Sequence, residues 1–185
     1  MEKVDRRIKR TQKLLQEALI SLTLEKGYDA VTIREITERA DVGYTTFFRH
    51  YPDKEAILAD VLNLMKEEFQ VVLTPDSIVS EPEKMGMLLF EYVRANRDLC
   101  RVLLDSTNTI ALLRPLQEMG LREAELMFGP TTDRQILVDL AVNHLMASLV
   151  MLIRWWLDHD MPYSSEKMGE IVAELIIRPV VKAVQ

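Results

Sequence analysis

Side chains capable of acid–base, nucleophilic or metal chemistry are few in this chain, and they are scattered. The three histidines, His50, His144 and His159, lie too far apart for a local metal motif. Asp139, His144 and Glu174 are a trio that folding could gather, but satisfied core polar groups are the expected reading. Cys100 stands near Arg97 and Arg101, which would favour a thiolate able to sense oxidants. A small hydrophobe within a helix is the expected reading, and one cysteine excludes an internal disulfide. No G-x-x-x-x-G-K-[ST], H-E-x-x-H or G-x-S-x-G occurs, and no nucleophile has a plausible base. The expectation is therefore no enzyme, no metal and no cofactor. A different chemistry is concentrated in the octapeptide YTTFFRHY, Tyr44 to Tyr51. Hydroxyls, aromatic rings, a guanidinium and an imidazole there can meet phosphate oxygens and base edges.

Charge supports a polyanion partner for one end of the chain. The formal net charge of −6 hides an asymmetry. Residues 1–54 hold 11 Lys/Arg against 9 Asp/Glu, a net of +2, and residues 55–185 hold 12 against 20, a net of −8. Six basic side chains fall within the first 13 residues. A solvated charged terminus explains this on charge alone; a basic piece on an acidic body also suits DNA. The N-terminus lacks the apolar stretch of a signal peptide, and no run of 18 uncharged apolar residues occurs, so no membrane span is expected. A reduced, cytoplasmic setting follows from this reading.

The elements that must position the octapeptide are helical. Ile8, Thr11, Leu15, Ala18 and Leu22 step by three and four along one face, with Gly27 as the stop. Thr32-Ile33-Arg34-Glu35 is a capping box opening a second helix that buries Ile33, Ile36 and Ala40. Asp41-Val42-Gly43 is the turn, with Gly43 taking a positive φ. A third helix is expected over Tyr44–Tyr51, and Asp53 caps a fourth through Ile57, Val61, Leu64, Met65 and Phe69. After a loop from Thr74-Pro75 to about Glu81, five more helices are expected over about 82–94, 97–106, 108–127, 131–158 and 164–184, with Pro115 dividing the third of these. The helix around 137–157 is apolar on nearly all sides, so one side is expected to meet a second subunit. The fold class is all-α: a three-helix N-terminal domain over 1–52 and a helical domain over 53–185.

Two short helices joined by a tight turn read as a helix-turn-helix. Phe47 and Tyr51, four apart, pack inward with Val42, while Tyr44, Thr45, Phe48 and Arg49 point outward. Arg49 suits a guanine edge or a phosphate, and the threonines suit phosphate or a thymine methyl. A core hairpin with an aromatic staple has the same pattern.

These residues also carry a resemblance. "GYDAVTIREITERADVGYTTFFRHYPDKEAIL" resembles the DNA-binding region of the tetracycline-repressor (TetR) family of bacterial regulators. The shared order is a Gly-aromatic pair after helix one, T-I-x-x-I-x-x-x-A on helix two, then V-x-x-x-T-x-(aromatic)-x-(His/Tyr)-(aromatic), Lys-Glu and a hydrophobic pair. It covers about residues 6–60. The acidic remainder is similar only in being helical and in a late "RWWLDHDMPYS". The resemblance implies a homodimer on a palindromic double-stranded operator. It places Thr46 at a backbone or base contact, Tyr44 and Thr45 where sequence-reading side chains vary, His50 and Lys54 at phosphate contacts, and Arg34 within reach of DNA. Phe48 departs from the usual Tyr and lacks its phosphate-binding hydroxyl; Tyr44 is a candidate to supply one instead.

The body is read as an effector-binding and dimerising domain. A largely apolar small molecule is expected among Met65, Phe69, Leu89, Tyr92, Leu103, Leu113, Met127, His144, Ser148 and Trp155. Ten methionines suit an adaptable pocket or an ordinary core. His144 and Ser148 share a helix face, in a cavity or at a hydrogen-bonded interface. Ile171, Leu175, Pro179 and also Val172 and Ile176 are the expected partner face for a two-fold bundle. A ligand favouring one spacing of the two recognition helices would release the operator, with helix four as lever. Repression is the commoner sign in the family. The alternatives are a ligand-independent regulator acting through protein partners, and a helical enzyme.

Overall fold

The computed structural model describes residues 2–72, 79–104, 114, 117, 118, 120–122, 124, 125 and 135–184, with side chains from residue 6 and not between 66 and 78 or at 135. Among these residues all regular structure is helical. The elements are α1 (Glu2–Lys26), α2 (Ile33–Arg39), α3 (Tyr44–Phe47), α4 (Lys54–Val72), α5 (Pro82–Ala95), α6 (Arg97–Leu103), α7 (Gln135–Asp158), α8 (Ser165–Val172), a π-helical segment (Ala173–Ile177) and α9 (Arg178–Val184). Pro115, Gly129, Pro130 and Thr74-Pro75 lie outside the described residues.

Two compact units form, Met1–Glu68 and Phe69–Gln185, divided within α4. This division falls later in the chain than the expected boundary at Pro52-Asp53, and the first turns of α4 bury Ile57, Leu58 and Val61. The core of that unit is Leu15, Leu19 and Leu22 of α1, Ile36 of α2, and Phe47 and Tyr51, all buried. Full burial of a ring such as Phe47 contributes roughly 1.5–3 kcal/mol. Ile8, expected on the α1 core face, is exposed.

In the second unit α5 crosses α8 backbone to backbone. A Cβ on Gly86 would sit 2.8 Å from the Cα of Gly169, and a Cβ on Gly169 would meet Glu83 O and, at 2.7 Å, Met87 N. Trp156 is wholly buried; its ring meets Phe90 edge-on at 4.9 Å, and its Nε1 donates to Tyr163 O at 3.1 Å. The adjacent Trp155 is 41% exposed, as the helical turn between neighbouring positions requires. Cys100 is buried, and burial pushes its thiol up to about 12, so it stays protonated.

The last helix is not continuous. Its five-residue π segment ends just before Pro179, which has no N–H to give and crowds the carbonyl four residues back; the wider turn accommodates both. Val172 and Ile176 are buried in the protomer, which removes them from the expected partner face, whereas Leu175 is 69% exposed. α7 is two-sided. Val138, Val142, Val150, Ile153, Trp156 and Leu157 are buried, while Ile136, Leu137, Leu140, Met151 and Trp155 are exposed. Ile136–Asp158 is long and apolar enough to cross a membrane by length and composition alone, a test that the core helix of a soluble protein also passes. Asp139 and Arg154 interrupt it, and its buried face packs on protein.

Candidate nucleic-acid interface

α2 is set by its ends. Thr32 Oγ1 accepts from Glu35 N at 3.3 Å, and Glu35 Oε2 accepts from Thr32 N at 3.0 Å. Lys26 Nζ donates to Glu35 Oε1 at 2.5 Å, and these donors hold the Glu35 carboxyl down to about 2. At its other end Arg39 clamps Glu25 of α1 with paired bonds of 2.7 and 2.8 Å and donates to Ser21 Oγ at 3.0 Å. The Arg39 guanidinium holds Glu25 below the usual carboxylate range.

The turn is a Schellman motif. Asp41 N donates to Glu38 O at 3.3 Å and Val42 N to Thr37 O at 3.0 Å. The left-handed residue is Asp41, φ 52°, and not Gly43, whose φ is −60°. The helix end fixes which residue reverses: Ala40 closes α2, so its successor takes the left-handed position, which Asp tolerates. Gly43 is then extended and caps α3.

α3 is shorter than expected. It ends at Phe47, and Phe48–His50 continue as a turn, with Arg49 N donating to Thr46 O at 3.1 Å and His50 N to Phe47 O at 2.8 Å. Phe47 and Tyr51 are buried, as their spacing predicts. Tyr44, Thr45, Phe48 and Arg49 are exposed, and Thr46 and His50 are half-buried. The Tyr44 and Phe48 rings meet edge-on at 5.3 Å, and Phe48 meets Phe47 at 5.2 Å, so the exposed aromatics are braced. Arg34 is exposed and donates to Glu38 Oε1 at 3.1 Å.

Arg34, Thr37, Glu38, Asp41, Val42, Gly43 and Tyr44 line an open groove of about 650 Å³. The acidic Glu38 and Asp41 were not among the expected site residues, although the Arg34–Glu38 spacing is a legible helical pair. Lys54, expected at a phosphate contact, is half-buried. Its ammonium donates to Tyr28 O at 2.9 Å and Val31 O at 3.1 Å, and lies 4.3 Å from the Tyr28 ring centroid. On the N-terminal part of α1, Arg6, Arg7, Lys9, Arg10 and Lys13 are exposed, so the basic terminus is a helical surface.

The expected effector residues differ in exposure. Leu103 is buried; Met65, Leu89, Tyr92 and Ser148 are half-buried; His144 and Trp155 are exposed. His144 lies on the exposed face of α7 with Leu140 and Met151, since residues four and seven apart share a helix face. The Trp155 ring stacks on His159 at 4.6 Å. Leu113, Met127 and the Phe69 side chain lie outside the described residues.

Two sequence-family profiles match. One, described as bacterial regulatory proteins of the tetR family, covers residues 15–61. The other, described as a transcriptional regulator C-terminal region, covers residues 80–178. The chain is 32% identical over 87 residues to the uncharacterized HTH-type transcriptional regulator YxbF of Bacillus subtilis (strain 168), covering 46% of this chain and 22% of that protein. It is 32% identical over 93 residues to the HTH-type transcriptional repressor KstR of Rhodococcus jostii (strain RHA1), covering 47% and 41%. The chain thus spans less than half the length of either relative. Among solved structures, a TetR transcriptional regulator from Streptococcus agalactiae 2603V aligns with a TM-score of 0.64 at 21% identity, over 96% of this chain and 99% of that one. That likeness concerns the fold.

Proposed function

The chain belongs to the TetR family of bacterial transcriptional regulators, and from that premise we propose that it is a DNA-binding regulator whose Tyr44–Tyr51 segment reads a palindromic operator as a homodimer. The observation that carries this reading is the split of that segment. Phe47 and Tyr51 anchor it in the core, and Tyr44, Thr45, Phe48 and Arg49 face solvent, braced but uncovered. Arg49 and Tyr44 are assigned to base edges, Thr46 and His50 to phosphate, and Arg34 to the groove flank. The α1 basic residues add phosphate contacts. Repression is the proposed sign, which KstR's description favours. A largely apolar small molecule bound in the second unit is the proposed releasing signal, with Leu89, Tyr92, Leu103 and Ser148 as candidate contacts. His144 and Trp155 are reassigned to the face that a second copy covers. No catalytic role is proposed; the setting is cytoplasmic.

The test is duplex binding across salt. Wild type should enrich a palindrome from a random pool and bind it about 10³-fold or more above random duplex at physiological salt. Arg49→Ala should lose about 1–3 kcal/mol on the selected duplex and relax preference at one position per half-site. Equal affinity for random and selected duplexes would sink sequence-specific regulation.

A further inference from the structure

The recognition segment is too short to hold its own shape. α3 is a single turn of four residues, and Phe48–His50 follow as a turn closed by two three-residue hydrogen bonds and by one four-residue bond, from Tyr51 N to Phe47 O at 2.9 Å. What fixes its far end is Tyr51. The ring is buried, and the hydroxyl donates to Asp60 Oδ2 of α4 at 2.6 Å. Gln16 of α1 donates through Nε2 to the same carboxylate oxygen at 3.0 Å and to the Tyr51 oxygen at 3.3 Å. Three elements therefore meet at one carboxylate oxygen within the first unit. Burial, and then the bond to Asp60, hold the Tyr51 phenol above its ordinary range, so it remains a donor.

We infer that Asp60 is a positioning residue for sequence readout: through Tyr51 it sets the orientation of Phe48, Arg49 and His50 against α1 and α4. The inference rests on the proposal that this segment reads DNA. Asp60 touches no base. Its effect is confined to contacts that need accurate placement, the directional bonds to base edges, whereas attraction to phosphate tolerates displacement. Loss of the bond therefore lowers discrimination more than overall affinity.

The experiment uses the full chain and a duplex that wild type selects from a random pool. Y51F keeps the ring and removes the hydroxyl; D60A removes the acceptor; D60N keeps an acceptor for Tyr51. Y51F and D60A should each lose about tenfold in affinity for the selected duplex and much less for a random duplex, so the specificity ratio falls. The double variant should be no worse than the weaker single, because both break one bond. D60N should recover most of the ratio. A Y51F protein with unchanged helicity and an unchanged specificity ratio overturns the inference. So does a Y51F protein that does not fold, since the bond would then hold the unit together and not orient one segment. A wild type that selects no duplex defeats the DNA reading itself, and this inference with it.

Discussion

Lys54 occupies a position where the family resemblance implies a phosphate contact, yet two of its three ammonium donors are taken by the carbonyls of Tyr28 and Val31. Those carbonyls belong to the short turn that follows Gly27, whose φ is +82°. A lysine there ties the start of α4 to the link between α1 and α2, and it covers the Tyr28 ring. Tyr28 O keeps a second donor, Val31 N at 3.1 Å, so removing the lysine strips Val31 O of its ammonium donor, a loss of order 1–3 kcal/mol for a buried carbonyl. Lys54→Ala should therefore lower the urea midpoint, with a log–log salt slope of DNA binding that falls by less than the roughly 0.9 expected for one lost phosphate contact. An unchanged midpoint together with a full drop in slope would return Lys54 to the DNA surface. Sequence placed this residue on the right helix end but not against its partners, because carbonyls 23 and 26 positions away leave no mark in local spacing.

Elements whose boundaries are set by neighbours in the chain were legible. The Thr32–Glu35 box, the Gly27 stop and the Asp53 cap, which accepts from Ala56 N at 2.8 Å, are interactions over three or four residues, and all stand where the spacing puts them. What depends on tertiary packing was not legible. α3 stops at Phe47, where Arg49 N and His50 N turn to carbonyls three residues back, and the left-handed residue moves from Gly43 to Asp41 because α2 ends at Ala40. The α5–α8 crossing is the plainest case, since neither Gly86 nor Gly169 carries any turn signal. Their backbones touch, so a methyl group has no room on either side. Gly169→Ala gains up to about 1 kcal/mol of helix propensity but must displace the α5 backbone. Overpacking of that kind costs about 1–3 kcal/mol. The expected result is a lower thermal midpoint with helicity retained at low temperature; a midpoint at or above wild type would mean that the two helices can separate without loss.

At the scale of the whole molecule, α7 of the second unit presents an apolar face that is exposed among the described residues. Ile136, Leu137, Leu140, Met151 and Trp155 line one side of α7, and Leu175 is exposed just before α9. The all-round apolarity of α7 was legible in the sequence; which side the protomer covers was not, because that depends on where α5 and the last helices pack. The open side sets Asn143 and His144 among hydrophobes, a composition that suits a second copy better than solvent. Two helices from each of two protomers make a four-helix bundle, and its two-fold axis would set the separation of two recognition segments for two operator half-sites. Leu140 and Leu175 are 61% and 69% exposed, so glutamate at either position leaves the protomer core intact. In a bundle, the same charges are buried without a partner and repel their two-fold copies. Leu140→Glu and Leu175→Glu should therefore sediment as folded monomers at micromolar concentration where wild type is a dimer. Operator affinity should fall with dimerisation, because each monomer engages one half-site alone. Wild-type protein sedimenting as a monomer under those conditions, or dimeric variants of both kinds, would remove this face as the two-fold interface.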